Sequence, residues 1–258
     1  MSDQLLRVEN VSKAFGSHQA LSDVSFALAR GRTLGVVGES GSGKSTLGRI
    51  VLGLIRPSAG RVLIDDIAFA DRDAGMRRRF RRAVQLIPQD PRNALNPTMT
   101  IEQNLVFHLR AQGVQRAALR DRCLESLLLV GLSAEVLKVY PHEISGGQAQ
   151  RVAIARAISN DPELIVCDEA VSALDKSVQA QVLNTLSELQ TQKAVAMLFI
   201  SHDLAVVEHM SDDVLVLKDG VVVEAGSVRQ VIGSPQDSYT RDLIAASTDS
   251  RSSASQES

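Results

Sequence analysis

Hydrophobic positions along this chain follow two rhythms. Residues 5–11 and 24–28 cluster β-forming side chains, with Gly16-Ser17 and Ala29-Arg30-Gly31 as punctuation, which predicts an antiparallel layer. The apolar run Thr33-Leu34-Gly35-Val36-Val37 predicts a short strand, and Leu47, Ile50, Val51 and Leu54 at i, i+3, i+4, i+7 predict a helix after it. Ser58-Ala59-Gly60 closes that helical region, and 61–67 reads as another strand. From about 92 to 158 the rhythm is helical, over 104–112, 117–130 and 148–159, with no strand signal of comparable strength. Leu164-Ile165-Val166-Cys167 and Ala196-Met197-Leu198-Phe199-Ile200 are unbroken apolar runs that suit buried parallel strands, with a helix over 178–189 between them. Two short apolar runs around Lys218-Asp219-Gly220 predict a hairpin. Residues 247–258 are Ser-rich and polar, which predicts a disordered tail.

The expected class is therefore α/β: a mainly parallel core sheet, an N-terminal antiparallel β layer and an inserted α-helical subdomain. The expected division is 1–91 with 159–245 as the core, 92–158 as the helical subdomain and 246–258 as the tail. The 258 residues are 44% hydrophobic, enough for a sizeable core. A net charge of −2 supplies no overall field toward nucleic acid or anionic lipid. No apolar run approaches the roughly 20 residues that span a bilayer. Cys123 and Cys167 lie far apart without metal or redox spacing, so a reducing compartment and packing roles are expected. Met1-Ser2-Asp3-Gln4 lacks the features of a secretory signal, which also predicts a cytosolic protein. Any membrane role would come through a partner.

Candidate chemistry begins at residues 38–45, Gly-Glu-Ser-Gly-Ser-Gly-Lys-Ser, which fill every fixed position of GxxxxGK[ST]. Between a predicted strand and a predicted helix, such a loop turns backbone N–H groups onto phosphate oxygens, and the helix N-terminus adds partial positive charge. Lys44 would pair with the β/γ-phosphates and Ser45 would ligate Mg²⁺; a glycine-rich turn without ligand is the alternative. The run at 164–167 ends in Asp168-Glu169. There an aspartate can hold Mg²⁺ and a glutamate can polarise an attacking water, unless the pair is an ordinary acidic strand end. The run at 196–200 ends in Ser201-His202-Asp203; His202 is either structural or a contact to the γ-phosphate or the attacking water. Ser145-Gly146-Gly147-Gln148 opens a helix and forms a second possible anion site. Arg77-Arg78-Arg79 and Arg81-Arg82 read as a solvated helix face, or as a contact for an acidic patch on a membrane partner. With 3% aromatic residues, nucleic acid is not expected as a partner.

Together these pieces resemble the ATP-binding cassette (ABC) ATPases, the motor subunits of membrane transporters, over about residues 5–245. Ser145-Gly146-Gly147-Gln148 is similar to the family signature, Ser172-Ala173-Leu174-Asp175 to the loop after the catalytic strand, and His202 to the switch histidine. Gln89 in Ile87-Pro88-Gln89-Asp90-Pro91 is similar to the glutamine loop, and Phe15 falls where the family places a ring against adenine. Gln89-Asp90-Pro91, Asn96-Pro97, Pro141-His142-Glu143 and Pro235 with Tyr239-Thr240 resemble the oligopeptide, dipeptide and nickel importers. Ile144, Ala149, Ala170 and Lys176 depart from that pattern without removing a catalytic group.

The resemblance implies an ATPase that uses ATP and Mg²⁺. Glu169, His202, Gln89 and Lys44 would be catalytic. Phe15, Gly38, Glu39, Ser40, Gly41, Ser42, Gly43, Lys44, Ser45, Thr46, Ser145, Gly146, Gly147, Gln148 and Asp175 would bind nucleotide, and Ser45, Gln89 and Asp168 would serve the metal. It further implies two permease subunits, a second ABC ATPase subunit in a head-to-tail dimer, an indirect solute-binding protein, and a peripheral place on the cytoplasmic face of the cell membrane. A soluble ABC ATPase of the DNA-repair or translation type is the competing reading.

Overall fold

The computed structural model describes residues 4–68, 74–172 and 174–254. In chain order the elements are β1 (Gln4–Phe15), β2 (His18–Ala29), β3 (Thr33–Val37), α1 (Lys44–Val51), β4 (Ala59–Ile64), β5 (Ile67–Ala68), α2 (Ala74–Ala83) and β6 (Val84–Ile87). Next come α3 (Ile101–Ala111), α4 (Leu119–Leu129), α5 (Gly146–Ile158), β7 (Leu164–Asp168), α6 (Lys176–Lys193) and β8 (Ala196–Ile200). The last elements are α7 (Leu204–Met210), β9 (Asp213–Lys218), β10 (Val221–Ser227), α8 (Val228–Val231) and α9 (Ser238–Ala254). Two compact units result: residues up to 68 together with those from 198 onward, and residues 74–197.

The first unit holds an antiparallel sheet in the order β2-β1-β4-β5. Leu6 faces Leu28 on one side and Ile64 on the other, so both neighbours of β1 are set by buried aliphatic side chains. The expected single strand over 61–67 is instead a hairpin. Asp65 and Asp66 have φ of 52° and 60°, the left-handed pair that a two-residue turn requires, and Ile67 folds back on Ile64. Elsewhere in this unit β3 runs parallel to β9, and β10 returns antiparallel to β9. Every residue of β3 is buried, which is why it reads as a run and not as an alternation. A Cβ at Gly35 would lie 2.4 Å from Val207, so α7 packs directly on the β3 backbone.

In the second unit β6 and β7 pair in parallel, Val84 with Leu164 and Ile87 with Cys167. Strand β6 carries no sequence forecast; at four residues, with Gln85 inside it, its periodicity is too short to register. Helix α3 starts at a capping box between Thr100 and Gln103. The buried Asn104 side chain accepts from the Asn96 amide and donates to the carbonyls of Asn96, Met99 and Thr100. The Asn96-Pro97 segment thereby owes its shape to a side chain one helical turn inside α3. This unit is wider than the helical insert expected at 92–158, because β6, β7 and α6 belong to it. Cys123 and Cys167 are buried free thiols, pushed up to about 11 and about 12 chiefly by burial, so both are inert packing groups.

Helix α9 continues to Ala254, across most of the segment where a disordered tail is expected; residues 255–258 lie outside the described ones. Its start is anchored by the buried Tyr239 and Thr240, and an anchored first turn removes the nucleation cost of the turns beyond it.

Candidate functional site

Strand β3 ends at Val37 and delivers the chain into the glycine loop, which closes on α1. Gly38, Gly41 and Gly43 have φ of 150°, 84° and 105°. A Cβ at Gly38 would lie 2.1 Å from the Leu217 carbonyl oxygen, and one at Gly43 2.6 Å from that of Ala20. The loop therefore tolerates no side chain at either position, for want of both space and a permitted φ. The Lys44 side chain is 6% exposed, and its ammonium donates to Gly38 O at 2.7 Å, Glu39 O at 2.6 Å and Ser42 Oγ at 3.3 Å. Gly43 offers α1 no side-chain cap, and Ser45 is exposed in the first turn. Backbone N–H groups at such a terminus are the atoms that bind phosphate.

Also in the first unit, β8 ends at Ile200 and places His202 on the surface, while Asp203 caps α7 by accepting from the Ala205 and Val206 amides. Phe15 closes β1 with its ring 48% exposed and the Lys13 ammonium 5.0 Å from the ring centroid. A cation over an aromatic face is attracted by the ring quadrupole. Tyr239 is a contact that local sequence rules do not forecast. Its hydroxyl accepts from the Glu39 amide at 3.0 Å, across 200 positions of chain.

In the second unit Asp168 and Glu169 stand half-buried at the end of β7. Glu169 occupies the left-handed region at φ 50°, a conformation unusual for glutamate. Its carbonyl is held by the Ser172 hydroxyl and amide, at 3.0 and 3.2 Å. Its carboxylate Oε2 accepts from Gln89 Nε2 at 2.9 Å. The structure thus joins two predicted catalytic residues 80 positions apart and stores backbone strain at one of them.

The Ser145-Gln148 segment caps α5. Ser145 Oγ accepts from the Gln148 amide at 3.2 Å, and Gln148 Oε1 accepts from the Ser145 amide at 3.0 Å. A Cβ at Gly147 would meet Val178 of α6 at 2.6 Å, whereas one at Gly146 would meet nothing within 4 Å. Gly147 is there for helix packing; Gly146 leaves the helix end bare. A cleft of about 530 Å³ opens beside this terminus, lined by Leu132, Val136, Ser145, Gly147 and Arg151 among others. Asp175 caps α6, accepting from the Val178 amide at 2.9 Å, so its carboxylate has a local structural task. Ala173 of the same loop lies outside the described residues. The five arginines from Arg77 to Arg82 are exposed on α2, with Phe80 and Ala83 turned inward.

The residues expected to serve the metal fall in both units, Ser45 in the first and Gln89 with Asp168 in the second, and each can be judged by donor type alone. No group of three His, Cys, Asp or Glu side chains capable of caging a metal occurs among the described residues. A hydroxyl at Ser45, a carboxylate at Asp168 and the amide oxygen of Gln89 are hard oxygen ligands, and Mg²⁺ is commonly held by one or two carboxylates plus substrate oxygens. Among the described residues no helix is long and apolar enough to cross a membrane.

The chain is similar to known proteins. The family model described as "ABC transporter" matches residues 21–172, more than half of the chain. A putative peptide import ATP-binding protein of Brucella ovis is 47% identical over 247 residues, covering 94% of this chain and 78% of its own. The oligopeptide transport ATP-binding protein OppF of Salmonella typhimurium is 46% identical, covering 88% of this chain and 69% of its own. Among solved structures, cbiO1 of Clostridium perfringens, part of the transporter complex cbiONQ, superposes with a TM-score of 0.81 at 27% identity, covering 90% of this chain and 92% of its own. The cassette MJ0796, solved as a post-hydrolysis dimer bound to ADP and Pi, superposes at 0.77 with 30% identity, covering 87% and 99%.

Proposed function

This chain belongs to the ABC transporter family, and we propose that it is the ATP-hydrolysing subunit of an importer that takes up a peptide, nickel or a related small solute through partner permeases. Relatives named for peptide import and oligopeptide transport, at 46–47% identity, favour this over a soluble ABC ATPase. The observation that carries the ATPase reading is the Gln89–Glu169 hydrogen bond, which aims a carboxylate held on strained backbone. Water attacks the γ-phosphorus, the bond to the β–γ bridging oxygen breaks, and Glu169 accepts the proton that water gives up. Gln89 orients that carboxylate by donating to one of its oxygens. Lys44 donates to β/γ-phosphate oxygens, and the loop amides bind the remaining phosphate oxygens. Mg²⁺, with Ser45, Asp168 and Gln89 as its ligands, would neutralise charge on the phosphates. His202 contacts the γ-phosphate, and Phe15 stacks on adenine.

Two cassettes work as a pair, this chain with itself or with a related ATPase. The bare Gly146 and the Ser145-Gln148 helix end complete the site of the opposite subunit. The pair sits against two permeases on the cytoplasmic face of the membrane, and a solute-binding protein delivers cargo to them. Glu169→Gln tests the chemistry: turnover falls by at least about 100-fold while MgATP affinity is kept, and retained turnover removes Glu169 from the base role. Phosphate release stimulated by co-reconstituted permeases tests the transport reading; no stimulation favours a soluble ATPase.

A further inference from the structure

One peptide group of the glycine loop is held from both ends. The Gly38 carbonyl accepts from the Lys44 ammonium at 2.7 Å, and the amide of the same peptide, on Glu39, donates to Tyr239 Oη at 3.0 Å. Hydrogen bonds to the two ends of one amide polarise it in the same sense and strengthen each other. Tyr239 is itself fixed on several sides. It is 8% exposed, the Lys218 ammonium lies 4.6 Å from its ring centroid, and its own amide donates to Asp237 Oδ1 at 2.8 Å. The turn before it is tied to β10, because the Glu224 carboxylate accepts from the amides of Gln236 and Asp237 at 2.9 and 3.1 Å. Lys218 comes directly after Leu217, whose carbonyl closes off Gly38. The start of α9, the end of β9 and the mouth of the glycine loop therefore form one connected cluster inside the first unit.

We propose that Tyr239 is a positioning residue for nucleotide binding: its hydroxyl sets the plane of the Gly38–Glu39 peptide, and through it the presentation of Lys44 and the loop amides to phosphate. The inference rests on the glycine loop being the nucleotide cradle. Tyr239→Phe keeps the ring and its contact with Lys218 and removes only the hydroxyl. Losing one hydrogen bond predicts that Kd and KM for MgATP rise about 3- to 10-fold, with the loss falling on KM and not on kcat. A merely structural Tyr239 would lower Tm and the active fraction and leave Kd where it was.

A second measurement needs no variant. In the full wild-type chain, hydrogen exchange at the Glu39 amide is at least about 10-fold slower than at Ser40 after correction for intrinsic rates. Equal rates at the two amides, or an unchanged Kd in Tyr239→Phe, overturn the inference while the cradle stands. Failure of the wild-type chain to bind MgATP overturns the cradle and the inference together.

Discussion

Two helix N-termini in this protein carry glycine-rich lead-ins, and they are built in opposite ways. At α1 the glycines are forced by backbone: Gly38 and Gly43 have positive φ and carbonyl oxygens where a Cβ would go. No side chain caps that helix, and a buried lysine is folded against its loop. At α5 the Ser145–Gln148 box satisfies the Ser145 and Gln148 amides, only Gly147 is sterically required, and Gly146 faces open space. Under the proposed function the first terminus binds phosphate with amides of its own loop, whereas the second, partly capped and bare of side chain at Gly146, is suited to approach from outside. Under the proposed function, similar glycine patterns would serve a cradle in one place and a docking face in the other.

Substitutions put this contrast at risk, and their effects scale with how much backbone must move. Gly38→Ala is expected to be the most damaging, costing about 3 kcal/mol from overpacking against a carbonyl. That reads as a fall in Tm of roughly 6–12 °C, and an unchanged Tm would show that the loop is not confined. His108 supplies an effect of similar size confined to the second unit. Its pKa is lowered to about 4, first by burial and then by the Arg156 charge. A base whose folded pKa lies below its unfolded value of ~6.5 is stabilising as neutral imidazole above that pH. Its contribution is lost as pH falls from ~6.5 through about 4, up to about 3 kcal/mol. His108→Gln should flatten the acid limb of a Tm-against-pH curve; an unchanged slope assigns the acid sensitivity elsewhere.

Smaller effects are expected at α5. Gly147→Ala forces its methyl into Val178 and should cost about 1–3 kcal/mol, read as a lower denaturant midpoint. Ser145→Ala removes one cap and should cost about 1 kcal/mol by the same readout. Gly146→Ala should be neutral to slightly stabilising, by up to about 0.5 kcal/mol, while ATP turnover by the paired form falls. A drop in Tm for Gly146→Ala would mean that the face is not open, and undiminished turnover would mean that nothing approaches it.

Much of the candidate site was legible in residue order. Residues 38–45 carry their chemistry in backbone freedom and one lysine, and both are properties of the local sequence. The runs before Asp168 and His202 were legible because strands buried on both faces are apolar without alternation. Strand β6 and the Asp65-Asp66 turn escaped for a local reason: four residues are too few to show a period, and a turn between β-formers hides inside a longer apparent strand. The role of Asp175 as the cap of α6 was masked by its place in a motif, since capping and ligand binding ask for the same side-chain oxygen.

Residue order alone was enough to locate a glycine loop and an acidic strand end, and to point to the family, because each depends on residue types at fixed short spacing. Folding was needed before Gln89 could aim Glu169, before Val178 could forbid a side chain at Gly147, and before Tyr239 could reach the Glu39 amide. Those contacts join residues 80, 31 and 200 positions apart. No local propensity encodes them: each exists only after strands and helices far apart in the chain have packed and brought their ends together.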